Sequence, residues 1–254
     1  MEKEILIFGH KNPDTDSICS AMVKERLNKK NGYDSSVAVR LGNINKETQY
    51  VLNYLNLEAP ELKEEVAEGQ KVIMVDHNEF NQSIKGIEKA KILGVVDHHR
   101  IANFETSDPL YYTARPYGCT STILFQDFKG KGIEINREEA ILMASAIISD
   151  TLLLKSPTTT KHDEKALEEL EKIAGIDIKE YGLEMLKAGT DLDDFTAKEL
   201  INLDAKELDK NGIKFVIGQV NTVDIPSVLE RQEELEKAIE EELKEKELAL
   251  FVLA

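Results

Sequence analysis

Residues 5–16 read Ile-Leu-Ile-Phe-Gly-His-Lys-Asn-Pro-Asp-Thr-Asp, and the fold turns on them. Ile5 to Phe8 form an apolar run of the length of one buried strand, and Gly9 ends it. His10, Asp14 and Asp16 follow at once. From Ser17 onward, Ile18, Met22, Val23 and Leu27 recur at helical spacing. One histidine and two carboxylates therefore occupy a strand-to-helix loop. Open α/β sheets bind ligands there, beyond the carboxyl ends of the strands. Imidazole with carboxylate is a donor set suited to a first-row divalent metal.

Working outward, strand and helix signals alternate. Glu4–Phe8 reads as a strand and Ser17–Lys30 as a helix that stops near Asn31-Gly32. Ser35–Leu41 alternates as a strand does, and Lys46–Leu57 carries Val51, Leu52 and Leu55 on one helical face. Two further apolar strands, Lys71–Val75 and Ile92–Val96, run directly into Asp76-His77-Asn78-Glu79 and Asp97-His98-His99-Arg100. Leu110–Ala114 makes a fifth strand. Strands interleaved with helices predict an α/β fold, a five-stranded parallel sheet flanked by helices on both faces. From Gly118 the chain turns helical, with segments 120–128, 137–151, 163–174 and 178–186. Residues 188–194 are small, acidic and aperiodic, and read as a linker between domains 1–187 and 195–254. The second, smaller α/β domain reads as a helix over Lys198–Leu208, a strand over Lys214–Val220, one long acidic helix over Pro226–Lys246, and a terminal strand over 248–253.

Composition bounds the partners. The chain has 254 residues, 48 acidic against 32 basic, for a formal charge of −16. That balance excludes a general nucleic-acid binder, whose affinity rests on Lys and Arg. Cys19 and Cys119 form no CxxC pair and read as reduced thiols. No apolar run approaches the ~20 residues of a membrane span, and the N-terminus lacks the shape of a signal peptide. The expectation is a cytoplasmic protein.

Of five histidines, His10, His77, His98 and His99 all lie in short Asp/His clusters that directly follow a predicted strand. Such clusters at one sheet edge would crowd carboxylates together, and like charges so placed repel unless a cation sits among them. Asp150, at the end of the apolar helix 140–148, adds to the set. Asp14, Asp16, Asp76 and Asp150 carry four negative charges, which two divalent ions would balance. Two ions ~3.5–4 Å apart are a known device for phosphoryl transfer. Mixed His and Asp donors favour Mn²⁺ or Co²⁺ over Mg²⁺.

Four stretches carry a resemblance: Gly9-His10-Lys11-Asn12-Pro13-Asp14-Thr15-Asp16, Asp76-His77-Asn78-Glu79, Asp97-His98-His99-Arg100, and Ser149-Asp150-Thr151-Leu152-Leu153-Leu154-Lys155-Ser156-Pro157-Thr158. They resemble the motifs of the family II, manganese-dependent inorganic pyrophosphatases of the DHH phosphoesterase superfamily. The match runs in order through nearly the whole chain, including Tyr111-Tyr112 and residues 219–224.

The resemblance implies an N-terminal DHH domain followed by a DHHA2-like domain. It implies hydrolysis of pyrophosphate to two orthophosphates by a metal-bridging water or hydroxide. His10, Asp14 and Asp76 would hold one metal; Asp16, Asp76, His98 and Asp150 would hold the other, with Asp76 bridging. His99 would face the substrate and serve the leaving phosphate. His77 and Asp97 would orient the ligands, and Lys206 would bind substrate. Two Mn²⁺ per subunit are implied, with Co²⁺ an alternative and Mg²⁺ entering with substrate, in a homodimer.

One departure stands out. The family's later Ser-Arg-Lys-Lys-Gln-like segment has no match here, so the second domain reads as incomplete, the chain as truncated and its turnover as weak. The alternatives are another DHH phosphoesterase, acting on polyphosphate, oligonucleotides or cyclic dinucleotides, and a non-catalytic metal-binding regulator. No glycine-rich GGH-type motif is present to hold a nucleotide, aromatic residues are only 6 %, and residues 58–70 are too short for an inserted regulatory module.

Overall fold

Four consecutive apolar residues suit a strand covered on both faces, and β1 (Ile5–Phe8) is buried at all four. In this computed structural model the described residues are 4–254 except 191, 193, 194, 203, 211, 221, 223 and 224. α1 (Thr15–Lys30) begins where the Asp14 side chain accepts from the Ser17 amide at 2.9 Å, a carboxylate cap on otherwise orphaned donors. There follow β2 (Ser36–Arg40), α2 (Lys46–Leu55), β3 (Glu61–Leu62), β4 (Lys71–Val75), β5 (Lys91–Asp97) and β6 (Tyr111–Ala114). Then come α3 (Thr120–Lys131), α4 (Arg137–Thr151), α5 (Lys161–Ala174) and α6 (Ile178–Gly189).

The sheet order is β3-β2-β1-β4-β5-β6, with every pairing parallel. The sheet therefore has six strands where five were expected. The extra one, β3, is two exposed residues, Glu61 and Leu62, pairing with Val39 and Arg40, too short to leave a periodic signature. The chain walks outward from β1 through β2 to β3, then returns to β4 on the other side of β1 and walks out again. The carboxyl ends of β1 and β4 thus flank a topological switch point, where such sheets open a crevice.

The two faces of the sheet are covered differently. Buried side chains of α1 to α6 join one large cluster around Ile7, Val75 and Val96. Within it α4 is buried at every position from Glu139 to Ile148, as a helix apolar all round must be. The other face, with Leu6, Phe8, Val72 and Met74, packs on Val66, Ile84, Ile87 and Phe104. These lie in connecting segments with only short 3₁₀ turns, Phe80–Gln82 and Ile87–Lys89. The expectation of helices on both faces is thus met on one.

The chain divides into two compact units, Met1–Leu186 and Lys187–Ala254. Residues 188 and 189, expected in the linker, continue α6; 191, 193 and 194 of that stretch lie outside the described residues. The second unit holds α7 (Ala197–Leu200), β7 (Asp204–Lys210), β8 (Ile213–Gln219), α8 (Ile225–Glu230), α9 (Gln232–Glu245) and β9 (Leu250–Leu253). β7 and β8 run antiparallel, and β9 joins β8 in parallel. The helix expected over Lys198–Leu208 is wrong beyond Leu200. Residues 204–210 pair along their whole length with β8, and this tertiary pairing overrides the helical preference of Ala, Lys, Glu and Leu. The long helix expected over Pro226–Lys246 is two helices. They part at Arg231, whose guanidinium donates to the Leu192 and Phe195 carbonyls at 3.0 and 2.8 Å. The unit has its own core of Leu200, Ile201, Val216, Leu235, Ala238, Leu248 and Phe251. No helix among the described residues is long and apolar enough to cross a membrane.

Candidate metal centre

The parallel register brings the loops after β1, β4 and β5 to one sheet edge. Asp76, directly after β4, is held at φ 59°, a left-handed conformation that aspartate tolerates better than most residues. It is buried, with Oδ2 accepting from Ser17 Oγ at 2.8 Å and Oδ1 from Thr120 Oγ1 at 3.2 Å. His10 Nε2 lies 3.4 Å from Asp76 Oδ2 and 3.3 Å from Asp14 Oδ2. His98 Nε2 lies 3.3 Å from Asp76 Oδ1 and 3.5 Å from Asp150 Oδ2.

Donor atoms of His10, Asp14 and Asp76 all fall within 4.8 Å of one another; so do those of Asp16, Asp76, His98 and Asp150, and those of Asp76, His98 and His99. Asp76 belongs to all three groupings. Asp16 is fully buried, accepting from Ser20 Oγ at 2.5 Å, the Thr120 amide at 2.7 Å and the Ser121 amide at 3.3 Å. The last two are first-turn amides of α3, a helix start that favours an anion.

The surroundings orient the rings. His98 Nδ1 donates to the Tyr117 carbonyl at 3.0 Å, which leaves Nε2 facing the carboxylates. Asp97, buried, accepts the His99 amide at 3.0 Å and His99 Nδ1 at 2.9 Å through Oδ1, and Asn78 Nδ2 at 2.6 Å through Oδ2. His77 is buried with both nitrogens engaged, Nδ1 on the Val75 carbonyl at 2.9 Å and Nε2 on Ser83 Oγ at 3.0 Å. Its ring meets that of His10 edge-on, centroids 6.5 Å apart. Its hydrogen bonds thus go to a carbonyl and a hydroxyl, and its ring packs against His10. Gly9 is fixed by space: a Cβ there would lie 2.5 Å from that of Ser17, which donates to Asp76.

The electrostatics are those of a cation site. Burial pushes the Asp16 carboxyl up to about 6, with Asp76 adding to the shift. Burial, then Asp16 and Asp76, push Asp150 well above the carboxylate range. For Asp76 burial also opposes ionisation, but the bonds from His10 and His98 outweigh it and hold the group well below that range. Burial resists charging of His10 and His98; their carboxylate partners overcome it and raise them to about 10 and about 9. Burial lowers His77 to about 4, so it is neutral. Asp150 Oδ2 is a buried acceptor with no hydrogen-bond partner. A dense set of N and O donors, with one carboxylate oxygen left unpaired, fits a divalent cation.

The structure thus brings His10, Asp14, Asp16, Asp76, His98 and Asp150 together, with His99 half exposed at the rim and Asp97 behind it. Lys206 is exposed on β7 of the second unit. Sequence reasoning missed Ser17, Ser20, Thr120 and Tyr117, which support the donors. The only signal for the first three is a cluster of hydroxyl residues in the early turns of two helices, which capping alone would explain; Tyr117 acts through its backbone carbonyl, which residue type does not reveal.

Residues 4–147 match the DHH family, N-terminal domain, and residues 183–254 match the DHHA2 domain. A manganese-dependent inorganic pyrophosphatase of Bacillus subtilis is 57% identical over 254 residues, which take in 100% of this chain and 82% of that protein. A solved Methanococcus jannaschii protein assigned to the family II inorganic pyrophosphatases superposes with a TM-score of 0.72 at 39% identity, covering 98% of this chain and 83% of that one. Fold and similarity along the whole of this chain agree, and the chain belongs to the DHH family, in its manganese-dependent inorganic pyrophosphatase branch.

Proposed function

We propose that this protein hydrolyses inorganic pyrophosphate to two orthophosphates at the carboxyl edge of its parallel sheet. The observation that carries the reading is Asp76, shared by every grouping of donors. One metal would be held by His10, Asp14 and Asp76 and a second by Asp16, Asp76, His98 and Asp150, with two Mn²⁺ per subunit, Co²⁺ an alternative, and Mg²⁺ arriving with substrate. Such a pair supplies Lewis acidity to phosphoryl oxygens and lowers the pKa of attacking water.

The chain's own groups do the rest. Asp97 holds His99 by Nδ1, and that bond raises the His99 pKa against its burial. His99 would then place a proton donor beside the leaving phosphate. His77 backs His10, and Lys206 would bind substrate. The same reading makes the enzyme a cytoplasmic homodimer.

Phosphate release from pyrophosphate by the Mn²⁺-loaded protein tests this directly. Chelation should stop release, and Asp76→Ala should lower it at least about a hundredfold, the scale on which disturbed metal shells lose activity. Unchanged turnover in that variant, or release from a dinucleotide in place of pyrophosphate, refutes the reading.

A further inference from the structure

Glu47 belongs to none of the Asp/His clusters, and α2, which carries it, supplies no grouped donor. Yet its Oε1 accepts from Thr15 Oγ1 at 2.5 Å and from Ser149 Oγ at 2.5 Å. Thr15 lies between Asp14 and Asp16, and Ser149 immediately precedes Asp150. One oxygen thus ties the start of α1 to the end of α4. The anchor is itself fixed. Asn45 caps α2 and holds the Thr48 amide at 2.7 Å, and Thr48 Oγ1 meets the buried Thr15 Oγ1 at 3.1 Å. A carboxylate also sits well in a helix's first turn.

We infer that Glu47 is a positioning residue that, through Thr15 and Ser149, sets the spacing between Asp16 and Asp150 in the grouping they share with Asp76 and His98. Asp14 has its own restraint, the cap on the Ser17 amide. Loss of Glu47 therefore falls on one metal position more than on the other. Outer partners of this kind govern metal affinity by roughly 10–100-fold.

The inference rests on the two-metal reading, and Mn²⁺ titration of the metal-free chain by calorimetry separates the two. The wild type should take up two ions. Glu47→Ala should still take up two, with one weakened about tenfold or more, while the melting temperature without metal stays close to wild type. Glu47→Gln keeps an oxygen that accepts the same two bonds and should restore affinity to within about threefold. Ser149→Ala removes one bond without touching Glu47 and should weaken the same ion, which carries the test if Glu47→Ala does not fold. Wild-type affinity for both ions in Glu47→Ala or Ser149→Ala overturns the inference. So does a Glu47→Gln chain that loses as much as Glu47→Ala. A wild type that binds no Mn²⁺ overturns the functional reading and this inference with it.

Discussion

Asp150 shows most plainly what the site costs the metal-free protein. Its Oδ2 is buried, has no hydrogen-bond partner, and lies 3.5 Å from His98 Nε2. An acid whose folded pKa is raised stabilises the protein fully below its unfolded pKa, near 4, and loses that contribution as pH rises. Replacing Asp150 with Asn removes the charge. The metal-free variant should be more stable than wild type at pH 8 by about 1–3 kcal/mol, with the gap closing toward pH 4, and should bind Mn²⁺ more weakly. Denaturation midpoints at the two pH values check this; equal midpoints at pH 8 would count against a strained carboxylate. At this scale the sequence was readable where residue type is rare. Histidine and aspartate in clusters after an apolar strand seldom serve packing alone, and the structure brings five of them together with Asp150 from the end of α4. Ser17, Ser20 and Thr120 were not readable, because hydroxyl residues at helix starts are ordinary caps and nothing local reveals that Thr120 reaches Asp76.

Among elements, the first unit was legible because each strand is a short apolar run ending at a polar cluster. β3 was not, being two exposed residues recruited by a neighbour. The second unit was read less well, since β7 is strand only by virtue of β8. Its helix α9 carries a testable tether. Glu242, buried, accepts from Asn202 Nδ2 at 2.8 Å and pairs with Lys246 at 2.5 Å. Burial opposes its ionisation, but these partners prevail and lower its pKa. A lowered carboxyl stabilises above its unfolded pKa and loses that contribution as pH falls through the folded one. Glu242→Gln should therefore cost stability at pH 7 and progressively less as pH drops below about 4. Melting temperatures across that range read the difference, and a constant gap between variant and wild type would show that Glu242 acts by packing alone.

For the whole molecule, the sequence led to the right family, since motifs in order along a chain identify more than any one of them does. It missed the asymmetry of the sheet, helical on one face and looped on the other. That asymmetry reflects connections on either side of β4 and after β5 that lack a helical repeat and cover apolar strands with scattered residues such as Val66, Ile84 and Phe104.

The parallel register has a consequence in time. No strand of the large sheet can zip to its neighbour through a tight turn: Lys71 pairs with Lys91 and Gly94 with Tyr111, so each contact must first close a long stretch of chain. β7 and β8 pair with almost no chain between Lys210 and Ile213. Local contacts form sooner than distant ones. During refolding, amides at 206–208 and 214–217 should gain protection from pulsed hydrogen exchange before those of Leu6 and Ile7, and the reverse order would refute this. His10, Asp76 and His98, carried at the ends of strands that pair late, are then among the last groups to find one another.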